Sequence, residues 1–110
     1  MAIFIPSRRY NAVYTRWVEN PEDANVTVRM NGAEYLIRLV NVYLVRNDDD
    51  SWDVHHATVS ATNRNKFDHK WRGAYYAHDE SEFEKPVGYV ERVKREALAF
   101  VTRDTEERGV

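Results

Sequence analysis

Asn31-Gly32 separates two short alternating runs, Val26-Thr27-Val28-Arg29-Met30 and Ala33-Glu34-Tyr35-Leu36-Ile37. Both central residues of a type I′ turn need positive φ, which Asn and Gly tolerate best, so this dipeptide predicts a two-residue β-hairpin. Such a turn fixes the register: Met30 opposes Ala33, Arg29 opposes Glu34 and Val28 opposes Tyr35. Val26, Val28, Met30, Tyr35 and Ile37 then share one face. Arg29 and Glu34 meet on the other as an opposite-charge pair. Turn chemistry and apolar alternation agree, so an antiparallel sheet is the starting point for everything else.

The second strand of the hairpin runs from Ala33 to Arg46. Fully extended it would reach roughly 46 Å, against a radius of gyration of about 13 Å for a domain this size. A bend or bulge is therefore expected, near Asn41 where a polar residue interrupts the apolar pattern. Asn47-Asp48-Asp49-Asp50-Ser51 reads as a turn, Trp52–Thr62 as a strand, Asn63–Lys70 as a loop and Trp71–His78 as a further strand. Ala2–Ile5 and Tyr10–Val18 read as strands separated by Pro6-Ser7-Arg8-Arg9. Pro86 suits the first position of a helix. Val87, Val90, Val93, Ala97, Phe100 and Val101 follow at helical spacing, with Leu98 at the edge of the stripe. Glu91 and Arg95 form an i,i+4 pair on the exposed side, and Lys94 lies within the apolar arc as a snorkelling stem. The expected fold is α+β: an antiparallel sheet of five or six strands, mostly a meander, with one C-terminal amphipathic helix on one face. The expected core is Val26, Val28, Ile37, Leu39, Val59, Val90, Val93, Ala97 and Phe100.

The 110 residues make one domain, 1–110, with no internal repeat or linker. There is no cysteine. That removes disulfides, thiolate metal sites and thiol nucleophiles, and fits a reducing compartment. The opening apolar run is too short for a signal peptide and nothing has the length of a bilayer span. A cytoplasmic, soluble protein is the expectation.

Sixteen basic and 18 acidic side chains give a net charge of −2, so the sum favours no partner class. Position says more. The acidic residues gather in three clusters: Glu19, Glu22 and Asp23; Asp48, Asp49, Asp50 and Asp53; and Asp79, Glu80, Glu82 and Glu84. If the strands follow one another as a meander, all three clusters fall at one end of the sheet. That end becomes a candidate surface for docking a basic, nucleic-acid-binding protein. The alternative candidate is the segment from Arg64 to Tyr76. There Arg64, Lys66, Lys70 and Arg72 interleave with Phe67, Trp71, Tyr75 and Tyr76 as single-stranded nucleic-acid binders do.

Other chemistry finds little footing. His55 and His56 are adjacent, so on a regular strand they point to opposite faces and cannot easily share a metal. His69 and His78 stand alone. The Asp48-Asp49-Asp50 run lacks the glycine and the bidentate glutamate of a calcium loop. No glycine-rich phosphate loop or nucleophile elbow is present. No catalytic, cofactor or metal residue is singled out, no cofactor is implied, and a histidine-based nuclease is the least favoured reading. The sequence thus points to a non-enzymatic protein-interaction module with no membrane partner, while sheet edges leave pairing into a homodimer open.

Overall fold

The computed structural model describes residues 11–18, 26–63, 67, 68, 70, 71 and 76–107. The elements are β1 (Ala12–Trp17), β2 (Thr27–Met30), β3 (Ala33–Arg46), β4 (Trp52–Asn63), β5 (Tyr76–Asp79), a 3₁₀ turn (Glu80–Glu82) and α1 (Gly88–Glu107). Five antiparallel strands form one sheet and α1 packs on one face, so the α+β expectation holds. The expected strand at Ala2–Ile5 lies outside the described residues, as do 72–75 of the expected strand Trp71–His78. Among the described residues no helix is long and apolar enough to cross a membrane.

The Asn31-Gly32 hairpin has the register expected from its turn. Both residues take positive φ, 53° and 76°. A side chain on Gly32 would meet no atom within 4 Å, so the requirement for glycine there is conformational and not steric. β2, β3, β4 and β5 then follow as a meander. β1 departs from it by pairing with β3, from Ala12 opposite Leu44 to Trp17 opposite Leu39. β1 and β2 therefore lie end to end along the same edge of β3. Val18 donates to the carbonyl of Arg38, and Ile37 donates to the carbonyl of Val26, at 3.1 and 2.9 Å.

Two register shifts interrupt the long β3–β4 ladder, one between Ile37 and Leu39 and one between Tyr43 and Leu44. The first leaves Arg38 as an extra residue on β3, three positions before Asn41; the second leaves His55 extra on β4. An extra residue in one strand shifts the inside-outside phase of everything after it. Ile37 and Val40 accordingly both face the helix and are fully buried. Leu39, expected in the core, is turned to the other face and is only half-buried. On β4 the core residues step from Val54 to Ala57, Val59 and Ala61.

Helix α1 begins at Gly88, with Glu91 donating to the Val87 carbonyl at 3.1 Å, so Pro86 belongs to the extended entry. Val90, Val93, Ala97 and Val101 face the sheet. Each valine buried this way contributes about 1.5–3 kcal/mol relative to exposure. Phe100, expected in the core, is 55% exposed and rests its ring 5.6 Å from that of Tyr14 at the sheet's edge. Glu91 turns toward Lys94 at 3.4 Å and not toward Arg95. Lys94 also ion-pairs with Glu80, which fastens the helix to the 3₁₀ turn. Burial opposes the charge on Lys94, but the carboxylates of Glu80 and Glu91 outweigh it and leave its pKa raised. Arg16 makes a second tie, from β1 to Glu96 of the helix at 3.3 Å.

Two comparisons test this account by urea unfolding. Gly32→Ala costs about 1–2 kcal/mol, from the left-handed conformation alone. Ile37→Ala costs about 2–5 kcal/mol, as a core truncation does. Leu39→Ala, two residues away, costs less than half as much, because the bulge has removed it from the core.

Candidate functional site

The face of the sheet away from α1 is built by register. Trp17, Leu39, Ser60 and Ala77 form one cross-strand row; Thr15, Asn41, Thr58 and Asp79 form the next; Val13, Tyr43 and His56 form a third. No described element covers these rows. Trp17 is 51% exposed and Val13 is 45% exposed, both on β1. Thr15 Oγ1 donates to Asn41 Oδ1 at 2.5 Å, which locks the middle row. Tyr43 stacks on His56 with ring centroids 4.4 Å apart and planes within 8°. At the Asn31-Gly32 end the face closes, where Leu36 and Thr62 oppose each other and are buried.

The bulges add to this face. Because Val54 and Ala57 both point inward, His55 and His56 both point outward, and their Nδ1 atoms lie 2.6 Å apart with the rings at 72°. The expectation that adjacent histidines take opposite faces fails here, since it presumes unbroken alternation. By the same argument Arg38 and Leu39 share the outer side. Among the described residues no three His, Asp or Glu side chains converge where a metal ion could sit.

The expected acidic end is not assembled as the full meander required. Asp48, Asp49, Asp50 and Asp53 lie at the β3–β4 turn, whereas Glu84 accepts from the Gly32 amide at 2.6 Å at the opposite end of β3. Asp79 sits between, opposite Thr58. Glu19, Glu22 and Asp23 lie outside the described residues. The convergence fails because the chain returns from β5 along the sheet to the Asn31-Gly32 turn, where Glu84 also donates its amide to the Arg29 carbonyl at 3.0 Å.

Most of these carboxylates hold the fold locally. Asp49 accepts from the Ser51 hydroxyl and amide at 2.5 and 3.0 Å, and these bonds hold its carboxyl below the usual value. Asp50, with φ of 70°, ion-pairs with Arg46 at 3.2 Å. Asp53 accepts from the Asn47 side chain at 3.0 Å. Asp79 accepts from the Ser81 amide at 2.9 Å while Glu82 reaches back to the Asp79 amide at 2.8 Å, a reciprocal cap on the 3₁₀ turn. Asp48 is exposed at the turn's tip. Of the basic segment, Arg64, Lys66 and Arg72 lie outside the described residues. Lys70 is exposed, with its amide bonded to Asp68, and Trp71 is half-buried.

Comparison with known proteins supplies no relative: no protein-family model, curated protein or solved structure matches the chain.

The Asp79 cap carries a pH signature. Hydrogen bonds from Ser81 lower its carboxyl pKa below the ordinary 3.8. The stabilisation is therefore present above the unfolded-state value and is lost as pH falls through the lower, folded-state one. Asp79→Ala is expected to cost about 1 kcal/mol at neutral pH. Its unfolding midpoint should approach that of the unsubstituted protein as the pH is taken below 3.8.

Proposed function

We propose that this chain is a non-enzymatic protein-interaction module that docks its partner on the open face of the sheet. The observation that carries the reading is the exposure of Trp17 and Val13 beside Leu39 and Tyr43, on the side no described element covers. Large aromatic and aliphatic groups on a rigid sheet are the usual centre of a protein interface, surrounded by a polar rim. Hydrogen-bonding groups on Thr15, Asn41, Thr58 and Ser60 lie within the same surface.

Charge at the margin favours a basic partner. Asp53 and the exposed turn at Asp48, Asp49 and Asp50 border one end of the face, and Asp79 borders the β5 side. The acidic residues thus serve as parts of a rim and not as a single docking end. Arg38 also lies on this face. The same rim weighs against single-stranded nucleic acid here, because stacking on Trp17 and Tyr43 would bring phosphates toward carboxylates.

The test is affinity capture from untreated and nuclease-treated lysate with three baits: the unsubstituted chain, Trp17→Ala and Arg95→Ala on the helix's outer side. A partner that resists nuclease, is lost with Trp17→Ala and is kept with Arg95→Ala is the expected result. Capture that is indifferent to Trp17, or that vanishes when nucleic acid is digested, overturns the reading.

A further inference from the structure

We propose that His55 and His56 together bind a borderline divalent transition-metal ion, of the nickel, copper and zinc class, each through Nδ1 and with solvent completing the coordination shell. The bulge on β4 places both imidazoles on the open face, with His55 exposed and the two Nδ1 atoms 2.6 Å apart. At that separation neither two ring protons nor two bare lone pairs fit, so one ring donates and the other accepts. Two nitrogens on one tetrahedral ion, at metal–nitrogen distances of about 2.0–2.1 Å, stand about 3.3 Å apart. Opening the pair by about 0.7 Å therefore makes room for the ion. As the ion enters, the proton between the two rings passes to the far nitrogen of the donating ring, and each Nδ1 turns its lone pair to the metal.

The surroundings fit this use. The stack on Tyr43 restrains the His56 ring, so less freedom is lost when it coordinates a metal. Negative charge lies nearby. Asp79 is close enough to His56 for the two to interact electrostatically, and Asp53 precedes His55 by two residues on the same face. Imidazole nitrogen selects copper, nickel and zinc over magnesium and calcium, with copper bound most tightly in the usual order. The site does not depend on the docking reading, since it needs no partner protein.

Isothermal titration of the purified full chain with Cu²⁺, Ni²⁺, Zn²⁺ and Mg²⁺ tests it. One equivalent of each transition ion should bind, and Mg²⁺ should not. His55→Gln and His56→Gln should each weaken Cu²⁺ binding by about tenfold or more, while His78→Gln, on the helix side of the sheet, leaves it unchanged. Cu²⁺ electron paramagnetic resonance should show two imidazole nitrogens, reduced to one in either variant. His55 is exposed, so His55→Gln should melt like the unsubstituted chain without metal, and only the latter should gain thermal stability when metal is added. Retention of the tight site in the His55→Gln, His56→Gln double variant, or an equal loss with His78→Gln, overturns the assignment.

Discussion

Burial of Ile37 and Val40 on the same side of one strand is the constraint on which this molecule turns. Residues three apart on an unbroken strand face opposite ways. β3 resolves the conflict by inserting Arg38 as an extra residue, which keeps Tyr35 and Ile37 before it, and Val40, Val42 and Leu44 after it, all facing the helix. β4 makes the matching adjustment at His55, so Trp52 and Val54 remain in phase with Ala57, Val59 and Ala61. The helix then needs only a straight stripe of small aliphatics to seal the core. What each strand gains in core continuity it gives up as an extra polar residue on the open side.

Much of the fold is legible in the chain because its signals are local. The Asn31-Gly32 turn dictates both backbone conformation and pairing, and the helical stripe at Val90, Val93, Ala97 and Val101 reads directly as a buried face. The excess length of β3 shows that a bulge is needed. It does not locate one, because position depends on which neighbouring aliphatics the helix can reach. Asn41 is a polar interruption only in one dimension: it sits properly on the outer face, bonded to Thr15. Leu39 and Phe100 depart from the expected core for different reasons: the phase shift turns Leu39 to the outer face, and Phe100 lies at the sheet's edge against Tyr14.

The candidate surfaces are less legible in the chain. Acidic residues in turns are conspicuous in sequence, yet Asp49, Asp50 and Asp79 are largely occupied with their own turns. The residues of the open face carry no motif, since Val13, Trp17, Tyr43 and His56 come together only through the pairing of β1, β3 and β4. The pairing of β1 with β3 instead of β2 is the decisive step, and nothing within either strand announces it. His55 and His56 offer the sharpest case: the same two letters mean opposite faces on a regular strand and a shared face on a bulged one.

The sharing of one β3 edge by β1 and β2 has a consequence for the order in which the molecule assembles. β2, β3 and β4 are joined by connections of two and five residues, so they can find one another through fast, local closure. Among the described residues β1 pairs only with β3, onto which it must close a loop of more than twenty residues. Yet β1 supplies Trp17, Val13 and the Arg16 anchor to the helix. Among the described strands, the open face is thus completed by the one paired across the longest stretch of chain, so its exposed aromatic surface rests on the least local pairing in the sheet.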